Sequence, residues 1–243
     1  LKSLDLDQHL LGENHLDIAH GYHNLAGTYL HLGRIDEAEV CYGKAISIKR
    51  LLFGDDNYET SLSEAALANV KLRQGKYQEA LDYHLRYLRN YIKSIGTESQ
   101  YLAVIYSGIG DDYYQMEDYA SALDYHMKAL SDISRKVESF PSGYYHRIGN
   151  DLYCLDRFQE AITYYEKSMK RAHEANDEFG ESVSHNCIGY SYGFLGEYEL
   201  ALEHFNLALS IRRRILPTGD ERITDCETNV QKAKQAIERT RND

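Results

Sequence analysis

The chain has 243 residues but no tryptophan, only two prolines and only four cysteines. Each scarcity excludes something. With so little proline, long helices run without interruption, and an all-α chain is expected. Cys41, Cys154, Cys187 and Cys226 are scattered without CxxC spacing, so they read as reduced thiols rather than as a disulfide framework or a zinc site. Positive charge is also short. Lysine and arginine total 27 against 38 acidic residues, for a net charge of −11. A surface that displaces counterions from nucleic acid is not expected. The three-residue basic run Arg212-Arg213-Arg214 falls at the end of a helical pattern, where the dipole favours positive charge. No apolar stretch reaches the length of a membrane span, and no signal-peptide pattern is visible. These features read as a cytoplasmic chain without membrane or nucleic-acid partners.

What is present is a repeat. Gly33-Arg34-Ile35-Asp36-Glu37-Ala38 returns as Gly75-Lys76-Tyr77-Gln78-Glu79-Ala80. It returns again as residues 117–122, 156–161 and 196–201, ending on Ala122, Ala161 and Ala201. The five alanines are 42, 42, 39 and 40 residues apart. A period near 40 residues implies stacked supersecondary units. An aromatic or histidine follows each alanine by four positions: Tyr42, His84, His126, Tyr165 and Phe205. Upstream lie aliphatic–small pairs such as Leu25-Ala26, Ile109-Gly110, Ile148-Gly149 and Ile188-Gly189. Spacings of three, four and seven put these on one helical stripe, where small residues let helices approach. His84 and His126 occupy this aromatic place and therefore read as packing residues.

This frame resembles the tetratricopeptide repeat, a helix–turn–helix unit. The links Leu11-Gly12-Glu13-Asn14 and Leu52-Phe53-Gly54-Asp55-Asp56-Asn57 resemble those of kinesin-light-chain-type repeats. Ala80-Leu81-Asp82-Tyr83-His84 and Ala122-Leu123-Asp124-Tyr125-His126 are similar to the spindle-scaffold family that binds G-protein subunits. The implied fold is an all-α, right-handed α-solenoid of stacked hairpins with a C-terminal capping helix. Repeat two departs from the pattern, with Glu64 and Lys71 at usual aromatic positions, and repeat four has a glycine-poor turn.

One solenoid over 1–243 is expected, divided as 1–14 (second helix of a truncated repeat), 15–57, 58–97, 98–139, 140–176, 177–218 and a capping helix in 219–243. Lys2–His15 aligns with Lys44–Asn57 at an offset of 42, which suggests a fragment of a longer chain. The cap should bury Ile223, Cys226, Val230, Ala233 and Ile237. Phe140-Pro141-Ser142-Gly143 is expected to break the chain between repeats.

In this family the first helix of each pair lines the inner face. The resemblance therefore places Asn24, Asn69, Arg73, Asp111, Tyr114, Gln115, Arg147, Asn150, Tyr153, Asn186 and Tyr190 on a partner-binding surface. Asparagine pairs with both backbone groups of a guest, arginine with carboxylates, and tyrosine gives rigid contact area. The Lys/Asn/Arg set with which a known subclass clamps chaperone tails is absent from the matching positions, so capture of that kind is not expected.

Catalytic residues are not found. Asp111-Asp112 and Asp151 lack an accompanying nucleophile or oxyanion hole. His20 and His23 share a face, but without the further ligands a metal requires. The expectation is a non-catalytic module, without cofactor or metal, that binds a peptide or helical segment, with self-association left open. The alternatives are a peptide-sensing regulatory domain and a targeting or oligomerising arm of a larger protein.

Overall fold

The computed structural model describes residues 14–242. They form eleven α-helices and, among the described residues, no strand. The helix expected over 2–11 lies outside the described residues. In chain order the helices are α1 (Leu16–His31), α2 (Ile35–Phe53), α3 (Tyr58–Arg73), α4 (Tyr77–Ile95), α5 (Tyr101–Gln115), α6 (Tyr119–Lys136), α7 (Gly143–Cys154), α8 (Phe158–Glu174), α9 (Glu178–Phe194), α10 (Tyr198–Ile215) and α11 (Glu221–Asn242). The chain divides into two compact units, residues 1–118 and 119–243. Within each, every helix packs on the next, and in the first unit α1 also touches α3.

The repeat frame accounts for the packing. Ala38, Ala80, Ala122 and Ala161 have no exposed surface, and Ala201 is 1% exposed. In the second unit Ile148, Leu152, Ala161, Ile162, Tyr165 and Ile188 form one core cluster. A second cluster joins Ala201, Phe205, Ala208 and Leu209 to Cys226, Val230 and Ala233 of α11. Ile237 is buried as well, and Ile223 packs on that core from a half-buried position. The helix therefore has the one wet face expected of a cap.

The turn inside each hairpin needs a left-handed residue five places before the frame alanine. Glycine supplies it at Gly33, Gly75 and Gly196, with φ of 73°, 74° and 81°. Glu117 and Asp156 take the same conformation at 60° and 58°. The glycine-poor turns are thus built like the others, at some conformational cost. Between repeats, Asn57 Oδ1 accepts from the Glu59 amide at 2.8 Å and caps α3, which explains the asparagine that ends the link. Residues 137–142 separate α6 from α7. Phe140 is buried there, with the Arg171 guanidinium 4.6 Å from its ring centroid.

The departures in repeat two are compensated polar pairs. Glu64 is fully buried, and its Oε1 accepts from Arg50 Nη2 at 2.6 Å and Arg86 Nη1 at 2.9 Å. Lys71 Nζ donates to Glu39 at 2.7 Å and pairs with Glu79 at 3.1 Å.

His84 and His126 are more than packing residues. His84 Nδ1 lies 2.5 Å from Asp112 Oδ2, and His126 Nδ1 lies 2.6 Å from Asp151 Oδ2. Both carboxylates are fully buried. Each pair links the second helix of one repeat to the first helix of the next. The histidine has room for this role because the aspartate comes from the facing helix, where burial requires a partner for a polar group.

Candidate partner-binding face

Residues expected on the inner face are found on first helices in both units. In the first unit Asn24, Asn69, Arg73 and Gln115 are exposed, whereas Asp111 and Tyr114 are half-buried. Asn69 Nδ2 makes a long contact of 3.4 Å to the Ala65 carbonyl, and Arg73 Nη1 donates to the Leu30 carbonyl at 3.2 Å. That second bond ties α3 to α1 and holds the guanidinium across adjacent first helices.

In the second unit Arg147, Asn150, Tyr153 and Asn186 are half-buried, and Tyr190 is exposed. Two of the asparagines already serve the fold. Asn150 Oδ1 accepts from the Tyr165 hydroxyl at 2.9 Å. Asn186 Oδ1 accepts from Asn229 Nδ2 at 3.2 Å, and Asn229 Oδ1 accepts from the Tyr190 hydroxyl at 3.0 Å. This chain of amides ties α9 to α11.

Phe194 stands seven places before its frame alanine, as Arg73 and Gln115 do before theirs, and it is 64% exposed. Its ring stacks on Phe158 at 5.0 Å and 13°, and meets Tyr153 edge-on at 5.5 Å. Beside it lies an apolar cavity of about 270 Å³, lined in part by Tyr190, Phe194, Tyr198, Phe205 and Ala236. Phe194 is the last residue of α9. Its stacking on a ring from the preceding repeat becomes visible only in three dimensions.

The histidines of α1 are engaged locally. His23 Nδ1 lies 3.1 Å from Ser63 Oγ, and His20 Nε2 lies 3.6 Å from Glu59. Among the described residues, no group of three or more His, Cys, Asp and Glu side chains is placed to hold a metal ion. Among the same residues no helix is long and apolar enough to cross a membrane. Cys41, Cys154, Cys187 and Cys226 form no disulfide. Burial pushes the thiols of Cys41 and Cys226 up, and that of Cys187 up to about 11, so these three are not poised as nucleophiles.

The tetratricopeptide repeat profile matches residues 1–51, 17–93, 58–132 and 142–214. No curated protein matches the sequence. Similar solved structures include a Podospora anserina protein assigned as kinesin light chain, with nearly identical TPR-like repeats. It is 15% identical, with a TM-score of 0.72 over 84% of this chain and 99% of that one. BtubC (BKLC) from P. vanneervenii is 19% identical, with a TM-score of 0.71 over 89% of each chain. Residues 41 to the end of MamA from Desulfovibrio magneticus RS-1 are 16% identical, with a TM-score of 0.64 over 82% of this chain and 97% of that one. At these identities the likeness is one of fold.

Proposed function

Because this chain belongs to the tetratricopeptide repeat family, we propose that it is a non-catalytic interaction module that holds a peptide or helical segment of a partner protein on its first helices. The observation that carries this reading is the aromatic cluster of Tyr153, Phe158 and Phe194, beside an apolar cavity that Phe194 lines together with Tyr190. Phe194 is 64% and Tyr190 41% exposed. Rings left in water beside an apolar cavity are the usual chemistry of a binding hot spot. In the first unit the polar residues Asn24, Asn69, Arg73 and Gln115 are exposed on first helices. Their amide and guanidinium groups suit a polypeptide guest. The net charge of −11 argues against nucleic acid as the guest.

The test is affinity capture from extracts of the source cells, followed by titration of the captured protein against two variants. Tyr190→Ser with Phe194→Ser removes the exposed rings of the second unit, and Arg73→Glu with Arg147→Glu reverses one first-helix cation in each unit. Each variant should weaken binding at least tenfold while far-UV circular dichroism stays helical. Undiminished affinity in both would place the partner on another face.

A further inference from the structure

Arg212 is the side chain that the fold leaves least well explained. The basic run lies in the last turn of α10, as expected of helix-end charge, but Arg212 differs from its two neighbours. Arg213 pairs with Glu227 at 2.6 Å and Arg214 with Glu178 at 3.2 Å, both at the surface. Arg212 instead is only 7% exposed. Its Nη1 donates to the Arg222 carbonyl at 3.0 Å, and its Nε lies 3.4 Å from Ser182 Oγ. Among the described residues no carboxylate lies within ion-pair distance of it.

The repeat itself shows what is missing. Arg212 stands eleven residues after its frame alanine, Ala201, just as Lys49 stands eleven after Ala38. Lys49 is also buried, at 1% exposure, and it donates to Glu59 at 3.0 Å. Glu59 is the second residue of α3, and the second residue of α11 is Arg222. At the last junction the position of the compensating carboxylate is therefore held by a second cation. Arg222 is itself engaged by Asp220 at 2.8 Å, which holds that carboxyl down at about 2. The thiols nearest Arg212 offer no negative charge, because burial keeps both Cys187 and Cys226 protonated at neutral pH. Asp220 acts on Arg212 only from beyond ion-pair distance, and a buried charge with no contacting counterion is costly.

Arg212 faces a cavity. A space of about 480 Å³ is lined by Asn186, Tyr190, Arg212, Arg222, Asp225, Thr228, Asn229 and Lys232. Its three cations outnumber Asp225, its one lining carboxylate. Tyr190, Asn229 and Lys232 also line the apolar cavity described above, so the two spaces adjoin. We infer that this double cavity between α9, α10 and α11 takes a peptide carboxylate at Arg212 and Lys232, with a neighbouring apolar side chain in the aromatic cavity. The planar guanidinium suits a carboxylate in its geometry, and its own burial strengthens the attraction. The inference rests on the reading of the first-helix face as the partner surface, and it names the chemistry of the guest at one end. It differs from the chaperone-tail clamp, because the central cation comes from a second helix and the capping helix closes the site.

Three acetylated peptides ending in glycine–serine–leucine separate the possibilities. One has a free terminal carboxylate, one is amidated, and one carries an added glutamate before the amide. Binding is followed on the arginine Nε–Hε resonances by NMR. The Arg212 signal should move with a carboxylate peptide, whose affinity should exceed that of the plain amide by about tenfold or more. The terminal and glutamate arms tell an α-carboxylate from an acidic side chain. Lys232→Glu, at an exposed position that leaves the core untouched, should abolish the preference, as should Arg212→Gln if that variant folds. Equal binding of all three peptides, no binding at millimolar concentration, or an unmoved Arg212 resonance would each overturn the inference. Should the captured partner still depend on Tyr190 and Phe194 in that event, the proposed function stands without the carboxylate site.

Discussion

His126 and Asp151 lie 2.6 Å apart with almost no exposed surface, and they repeat the relation of His84 to Asp112 one junction earlier. Burial chiefly pushes the Asp112 carboxyl up and the Asp111 charge adds to it, while the hydrogen bond to His84 opposes the shift. Breaking such a pair on one side leaves a stranded polar group. Asp151→Ala should therefore cost about 3–5 kcal/mol in urea unfolding. The next junction carries Tyr165 and Ser191 at the equivalent places. The double change His126→Tyr with Asp151→Ser should recover most of the loss. A double variant no better than the single one would show that the pair is not the unit of stability.

Close approach of helices in the second unit depends on two glycines. A Cβ on Gly149 would lie 2.5 Å from Tyr165 Cε1, and one on Gly189 would lie 2.7 Å from Phe205 Cε1. Gly149→Ala and Gly189→Ala should each destabilise by about 1–3 kcal/mol through overpacking. Gly108 meets nothing within 4 Å. Gly108→Ala should be neutral or stabilising, by up to about 1 kcal/mol. Thermal midpoints that order these three variants the other way would contradict the packing described.

Glu117 and Asp156 hold left-handed turns that glycine holds elsewhere. Replacing either with glycine removes that strain but also loosens the unfolded chain, so the net gain should be small. Glu117→Gly is expected to stabilise by about 0.5–1 kcal/mol, and Gly196→Ala to destabilise by about 1 kcal/mol or more. Equilibrium unfolding of the pair checks the sign.

Acid should weaken the second unit through its histidines. Burial lowers the pKa of His146, His185 and His204 below 6.5. A lowered folded value means that the unfolded chain binds protons first. The stabilising contribution is complete above the unfolded value and is lost as pH falls through the folded one. His185 and His204 also share a hydrogen bond of 3.0 Å between their Nδ1 atoms, which needs one neutral acceptor. The melting temperature should fall as pH drops below about 6.5, and His204→Asn should flatten that dependence. A midpoint that rises on acidification would refute this.

The fold was legible because the repeat is a packing rule. A small residue every 40 or so positions, with a ring four places on, fixes which side chains meet whichever partner binds. The polar interior was harder to read, because a buried histidine or arginine is explained by a residue in another helix. The signal was nonetheless present within the chain. Histidine four places after the frame alanine occurs only in repeats two and three, and each time an aspartate stands ten places before the next frame alanine. Likewise Lys49 with Glu59 shows what Arg212 lacks. The helices that carry the candidate asparagines were legible. That Asn150 and Asn186 spend their carbonyl oxygens inside the fold was not, since those bonds depend on Tyr165 and Asn229.

The central claim is that a partner sits on the first helices. Hydroxyl-radical footprinting of the second unit, with and without the captured partner, tests it most directly. Phe194 and Tyr190 on α9 are exposed, as are Leu200 and Leu207 on α10. The account predicts that the partner protects Phe194 and Tyr190 from oxidation and leaves Leu200 and Leu207 unchanged. Protection of the two leucines, with Phe194 and Tyr190 still reactive, would contradict it.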